Sequence, residues 1–148
     1  GVKIRILGTR EGLPSDIEEL VTTAEATTAG NDKFNLCIAF NYGGREELVR
    51  AVRAIAQDAI DSGAGPEAIN EETFERHLDT SGLPDPDIVI RTSGEYRLSN
   101  FLIWQAAYAE LIFMDVLWPD FGRSHLLEAV EIFQSRERRF GGLATGAA

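Results

Sequence analysis

The sequence predicts an α/β fold with a mostly parallel central sheet and helices on both of its faces. Two observations carry this. Short apolar runs rich in strand formers begin near residues 2, 34, 87 and 111. Stretches with helical periodicity, rather than tight turns, separate them, and parallel strands need such crossovers.

Taken in order, Val2 to Leu7 alternates apolar and basic residues, is closed by Gly8, and reads as a strand. Pro14 opens a helical pattern in which Ile17, Leu20, Val21 and Ala24 recur at three and four, with Gly30-Asn31 as its stop. Phe34 to Phe40 is short and apolar throughout, which predicts a central strand, and Asn41-Tyr42-Gly43-Gly44 is the turn after it. Leu48, Val52, Ile55 and Ala59, with Ala51 beside them, predict the inward face of the next helix, and Ser62-Gly63-Ala64-Gly65-Pro66 ends it. Asn70 is the expected N-cap of a short helix with Phe74 and Leu78 inward. Asp87 to Arg91 predicts a buried strand, Thr92 to Glu95 its loop, and Ser99 to Ala107 a helix. Leu111 to Phe113 predicts a last strand, and Leu126, Leu127, Val130 and Phe133 a last helix.

The chain has 148 residues, 44% of them hydrophobic and 26% charged, the composition of an ordinary globular chain. The length suits one domain, which at this size buries roughly 70% of its extended surface without a staple. Fourteen basic against 24 acidic residues leave a net charge of -10. That balance disfavours broad contact with nucleic acid or anionic membrane, but it leaves room for a local arginine cluster that binds an anion. The single cysteine, Cys37, excludes an internal disulfide and is expected as a small buried hydrophobe. No apolar run has the length of a membrane span, and no signal-peptide pattern is present. A strand at the first residue, without an initiator methionine, suggests a chain cut from something longer.

In a parallel sheet, ligands are expected at the loops beyond the strands' carboxyl ends. Thr9-Arg10, Asn41 to Arg45 and Arg91 to Ser99 fall there. Arg91 and Arg97 have the planar paired donors that suit phosphate, and Ser99, the expected N-cap of the following helix, could add its hydroxyl. Two readings stand open on chemistry alone. The arginines hold a phosphate or diphosphate, or they pair with Glu95 and other carboxylates. Glu110, beside the last apolar run, is either a divalent-cation ligand or a structural acid. His77 and His125 have no zinc-like spacing, and Arg91-Thr92-Ser93-Gly94 is no nucleophile elbow. Arg136-Glu137-Arg138-Arg139-Phe140-Gly141-Gly142 is either a helix end with dipole-complementing bases or an arm reaching into an anionic site.

Several segments together resemble the cis-prenyltransferases, the family of undecaprenyl and decaprenyl diphosphate synthases. These are Asn41-Tyr42-Gly43-Gly44-Arg45, Pro86-Asp87, Arg91-Thr92-Ser93-Gly94-Glu95, Arg97-Leu98-Ser99-Asn100-Phe101-Leu102-Ile103-Trp104-Gln105, Ala107-Tyr108-Ala109-Glu110, Trp118-Pro119-Asp120-Phe121 and Arg136 to Gly142. The resemblance implies a transferase that condenses isopentenyl diphosphate with an allylic prenyl diphosphate in cis, usually with Mg2+, as a homodimer or paired with a related chain. It implies that Arg91, Arg97 and Ser99 hold the diphosphate of isopentenyl diphosphate and that Glu110 is the magnesium ligand. Arg139 and Gly141 would reach the partner's diphosphate site, and Asn41, Arg45 and Glu95 would line the site. It further implies a cytoplasmic protein, or one peripheral to the membrane through its lipid product, with no nucleic acid partner.

The family's N-terminal Met-Asp-Gly-Asn-Gly-Arg motif has no counterpart here, so no catalytic aspartate is assigned. The expectation is that residues 1–142 are the C-terminal portion of one cis-prenyltransferase domain, missing its N-terminal strands and helices, with 143–148 a flexible tail. Such a chain would carry the isopentenyl diphosphate half-site and be inactive alone. The competing reading is a non-catalytic partner subunit of a heteromeric enzyme.

Overall fold

Alternation along Val2–Leu7 produces the first strand, β1, in a computed structural model that describes residues 1–136. β1 pairs in parallel with β2, Phe34–Ala39, in a register running from Val2↔Phe34 to Leu7↔Ala39. The crossover is α1, Ser15–Thr28, which begins directly after Pro14 and packs against β1. Its side chains close the strand's other edge. The Ile4 N–H donates to Thr28 Oγ1 (3.0 Å) and the Ile6 N–H to Glu25 Oε1 (2.8 Å). Gly8 continues the row, its N–H donating to Asp79 Oδ2 (2.9 Å). Three donors along that edge are thus already occupied by side chains.

β2 differs from the buried central strand that its composition predicts. It pairs with β1 alone among the described residues, and Phe34, Leu36, Ile38 and Phe40 are all exposed, Phe34 at 61%. Cys37 is half-buried rather than enclosed. An apolar run marks a strand that can be covered on both faces; the covering itself comes from elsewhere.

After β2 the chain turns at Asn41, whose φ of 50° is left-handed. Asn41 laces the loops beyond β1 and β2 together. Its side-chain amide donates to the carbonyls of Thr9 (3.0 Å) and Glu11 (3.1 Å), and the Thr9 N–H donates to the Asn41 carbonyl (3.2 Å). Gly8 admits this approach, because a Cβ there would stand 2.2 Å from the Phe40 carbonyl oxygen. α2, Gly44–Ser62, follows and is stopped by Gly63 at φ 69°. Its buried face is Gly44, Glu47, Ala51 and Ile55, while Val52, expected inward, is 55% exposed. The stripe is turned toward Glu47, which is only 1% exposed.

That burial is sustained by hydrogen bonds. Glu47 accepts from the Tyr42 hydroxyl (2.6 Å) at one oxygen and from the Asp79 N–H (2.8 Å) at the other. Asp79 in turn takes Arg50 (2.7 Å) as well as the Gly8 N–H. One buried carboxylate thus binds the loop after β2 to the segment after α3, Glu71–Glu75. α3 is capped by Asn70 as expected, the Thr73 N–H donating to Asn70 Oδ1 (2.9 Å).

The described residues cluster into two compact units, Gly1–Pro84 and a second from Asp85 onward. In the second, β3, Ile88–Arg91, pairs in parallel with β4, Glu110–Phe113, from Ile88↔Glu110 to Arg91↔Phe113. The crossover is not the helix expected over Ser99 to Ala107. It is a series of turns, with left-handed backbone at Ser93 (67°), Ser99 (52°), Asn100 (62°) and Leu102 (44°). Such φ values break a right-handed helix wherever they occur, so Ser99 caps none. α4, Arg123–Ser135, closes the unit. Ala129 is fully buried against Ile112 and Met114, with Ile132 and Phe133 packed around them. Leu126 and Leu127, expected inward, are half-exposed. His125 serves the helix start: Gly122 donates its N–H to Nδ1 (3.1 Å) and Phe121 stacks on the ring.

His77, just past α3, has an acceptor at each ring nitrogen: the Thr73 carbonyl at 2.7 Å and Asp58 of α2 at 2.9 Å. Only the imidazolium donates to both. The Thr73 carbonyl and then the Asp58 carboxylate raise its pKa above 6.5, against burial and the Arg76 charge. The contribution is therefore complete below the unfolded value and is lost as pH rises through the higher folded value.

Two predictions follow from these contacts. Wild type should lose thermal stability relative to His77→Gln between about pH 6 and 8; a difference in Tm that stays constant across that range would overturn this. Glu47→Ala removes the acceptor of two charge-assisted bonds and should lower urea-unfolding stability by about 3 kcal/mol. A loss under about 0.5 kcal/mol would show that the buried carboxylate is not structurally needed.

Candidate functional site

Arg91 ends β3, and Arg97 follows across the loop that leaves it. Both line one cavity of about 180 Å³, whose other walls include Val89, Leu98, Phe101, Leu111 and Phe113. The site is therefore a predominantly apolar pocket with two guanidinium groups, at the carboxyl end of a parallel strand pair. Arg97 is ion-paired with Glu95. Arg91 has no ion-pair or side-chain hydrogen-bond partner among the described residues. Of the two arginines, Arg97 is thus the one that takes the ion pair with Glu95.

The loop carrying Glu95 and Arg97 is held from the chain just beyond β4. The Ser93 N–H donates to the Val116 carbonyl (2.8 Å) and the Gly94 N–H to the Met114 carbonyl (3.0 Å). Gly94 sits at φ 64°, and a Cβ there would stand 3.3 Å from Asp115 Oδ1. Tyr96 packs on Phe113 with ring centroids 5.3 Å apart. Left-handed backbone at two serines, an asparagine and a leucine costs roughly 1 kcal/mol each. Held strain of this kind accompanies binding loops.

Ser99 is exposed within these turns, so its hydroxyl is accessible but no helix N-terminus supports it. Asn41 lies in the first unit as a loop tie, and Arg45 is exposed on the first turn of α2. Arg139 and Gly141, and the tail 143–148, lie outside the described residues.

Glu110 is placed differently from the arginines. It opens β4 opposite Ile88, three residues before the register position of Arg91, about 10 Å along the strands. It is not a lining residue of the arginine cavity. Its carboxylate accepts from Arg136 at 2.6 Å. Among the described residues no group of three or more His, Cys, Asp or Glu could hold a metal ion. One carboxylate already neutralised by a guanidinium does not fit a divalent cation as it stands.

Sequence reading missed Glu47 and Asp79, and it named Arg136 only within the basic run that follows the last helix. An acid in the apolar stripe between Gly44 and Ala51 was the available signal for Glu47. Asp79 gave none, and nothing paired Arg136 with Glu110, since the partners lie 29 and 26 residues away.

Comparison with known proteins gives these features a family. Residues 1–141 match the family described as putative undecaprenyl diphosphate synthase. An isoprenyl transferase of Agrobacterium fabrum is 53% identical over 143 residues, covering 97% of this chain and 58% of that protein. Isoprenyl transferase 2 of Bradyrhizobium diazoefficiens is 50% identical over the whole chain and 59% of its own length. The lavandulyl diphosphate synthase of Lavandula x intermedia, solved with dimethylallyl diphosphate, superposes with a TM-score of 0.88 at 38% identity, over 95% of this chain and 60% of that one. A probable undecaprenyl diphosphate synthase from Campylobacter jejuni gives 0.79 at 33% identity, over 95% and 63%. The chain thus spans about three-fifths of the length of the relatives it matches. Its parallel strands with helical flanks are the fold of those structures, and by sequence and fold alike it belongs to the cis-prenyltransferase (isoprenyl transferase) family.

Proposed function

We propose that this chain is the C-terminal portion of a cis-prenyltransferase and carries the half-site for isopentenyl diphosphate. The observation that carries the reading is the cavity in which Arg91 and Arg97 share walls with Phe101, Leu111 and Phe113. A short prenyl diphosphate has the matching chemistry, an apolar branched end and a doubly ionised head. Guanidinium forks suit its oxygens, and aromatic and aliphatic walls suit its hydrocarbon. Arg91, which has no carboxylate partner among the described residues, supplies charge without first breaking an ion pair. Arg97 must exchange Glu95 for the diphosphate. Ser99 adds a hydroxyl from the same loop.

In the reaction of the whole enzyme, the π electrons of the isopentenyl unit attack the allylic carbon of the second substrate. A carbon–carbon bond forms as the allylic carbon–oxygen bond breaks, diphosphate departs with the electron pair, and a proton leaves the isopentenyl unit to restore a double bond. The residues here would hold the nucleophilic alkene in place, which lowers the entropic part of the barrier. Arg139 and Gly141 complete a diphosphate site in this reading, in a homodimer or with a related chain. The exposed face of β2 supports the view that a further segment covers this unit in the longer protein. The allylic half-site belongs to that segment.

Calorimetric titration of the 148-residue chain with isopentenyl diphosphate should give saturable binding. Arg97→Ala should abolish it, and Arg91→Ala should weaken it at least about tenfold. No binding to a folded sample, or binding indifferent to both substitutions, would remove the half-site reading. The chain alone should show no measurable condensation, and turnover should appear when the remainder of its reading frame is joined to it. Robust turnover by the pure 148-residue chain would overturn that division.

A further inference from the structure

The cavity that holds Arg91 and Arg97 has a floor and a roof of different make. The floor is one face of the β3–β4 ladder. Side chains alternate along a strand, so Val89 and Arg91 share a face with their register partners, Leu111 and Phe113. All four line the cavity. Ile112, on the opposite face, is buried with Met114 and Ala129. The ladder and the packing behind it therefore both fix the floor, and Tyr96 packs on Phe113 as well. The floor is two rungs long. Arg91 and Phe113 make the charged rung, and Val89 and Leu111 the apolar one, about 6.6 Å away along the strands. The next position of that parity before Val89 is Asp87, which is exposed and lies outside β3. The roof comes from the return path, where Leu98 and Phe101 line the cavity. Phe101 stands between Asn100 and Leu102, both left-handed, and donates its N–H to the Leu98 carbonyl (3.2 Å). It is not among the residues packed around Ala129. Removing its ring alters a wall of the cavity and not the packing behind the floor.

We propose that Phe101 is the specificity-determining residue of this cavity and limits the hydrocarbon of a bound prenyl diphosphate to one isoprene unit. The inference rests on reading the cavity as the isopentenyl diphosphate half-site and adds the residue that sets the length of its ligand. Volume and length agree on the limit. The cavity measures about 180 Å³, and an apolar cavity of about 150 Å³ takes one benzene ring. There is room for one five-carbon unit and not for two. With the diphosphate on Arg91 and Arg97, the apolar rung beyond them matches one such unit. A second unit meets no further apolar rung and has to displace the roof. Phe101 is the roof residue whose removal makes that space, because its six-carbon ring is about the size of an isoprene unit. Leu98 is smaller. Leu111 and Phe113 cannot yield without disturbing the ladder and the close-packed core behind it. Truncating Phe101 therefore lengthens the accepted hydrocarbon and leaves the diphosphate end as it was.

The test is calorimetric titration of the 148-residue chain with three probes: isopentenyl diphosphate, the ten-carbon geranyl diphosphate, and inorganic diphosphate. The proteins are wild type, Phe101→Ala, Phe101→Leu and Arg97→Ala. Wild type should bind the five-carbon probe at least about tenfold more tightly than the ten-carbon one. Phe101→Ala should bind geranyl diphosphate at least about tenfold more tightly than wild type does, with inorganic diphosphate unchanged. A merely structural lesion would weaken all three probes together, and that result overturns the proposal. Phe101→Leu should move the preference in the same direction by less, and it carries the test if the alanine variant does not fold. If wild type binds both prenyl probes equally, or if neither Phe101 variant changes the preference, while Arg97→Ala still abolishes binding of isopentenyl diphosphate, the role of Phe101 is overturned and the half-site survives. If wild type binds neither prenyl probe, or binds them indifferently to Arg97→Ala, both are overturned.

Discussion

A parallel strand pair cannot be closed by a tight turn, and the second unit of this protein is arranged around that constraint. β3 and β4 run in the same direction with Ile88 opposite Glu110 and Arg91 opposite Phe113. The chain must therefore travel from one end of the ladder back to the other between them. This sends Arg91 to the carboxyl end and Glu110 to the amino end. It also places residues 92–109 where they can fold over the strands and build a cavity with them. Leu98 and Phe101 come from this return path, and Val89, Leu111 and Phe113 from the strands beneath. The arginines belong to the site because of where the strand ends.

The return path has an unusual solution. In place of a helix it uses turns with left-handed residues that are not glycine. The local cost is offset by hydrogen bonds from Ser93 and Gly94 to the chain beyond β4, and by Tyr96 packing on Phe113. A helix would have satisfied its own backbone and stood off the sheet. Turns keep their side chains close to it, so Arg97 can share a cavity with Arg91.

The first unit shows a related economy with charge. Glu47 is almost wholly enclosed, yet each carboxylate oxygen meets a donor, the Tyr42 hydroxyl or the Asp79 N–H. A buried acid so paired is tolerable, and it fixes the loop after β2 more firmly than an apolar residue could. Asp79 instead takes both of its donors, the Gly8 N–H and Arg50, at one oxygen, Oδ2. The Asn41 to Arg45 segment is thus held by the loop after β1 and by Glu47, which Asp79 anchors in turn.

The sequence by itself determined the strand positions, the parallel α/β class, the Asn70 cap and the pairing of Arg91 with Arg97 as anion-binding candidates. Each depends on local periodicity, on capping chemistry or on spacing along the chain, and these are written in neighbouring residues. It placed Val52, Leu126 and Leu127 inward, it set a helix over Ser99 to Ala107, and it left Glu47 unassigned and Arg136 without its partner. Those outcomes were decided by tertiary structure. A helix's apolar stripe can turn by one residue when a buried acid finds donors from distant loops, as at Glu47. Good helix formers yield to turns when the chain must stay against the strands it returns over, as between Leu98 and Ala107. Whether a carboxylate faces a cation or a guanidinium depends on which residue 26 positions away reaches it. Local pattern carries no information about that distance, and only the folded chain brings Arg136 to Glu110.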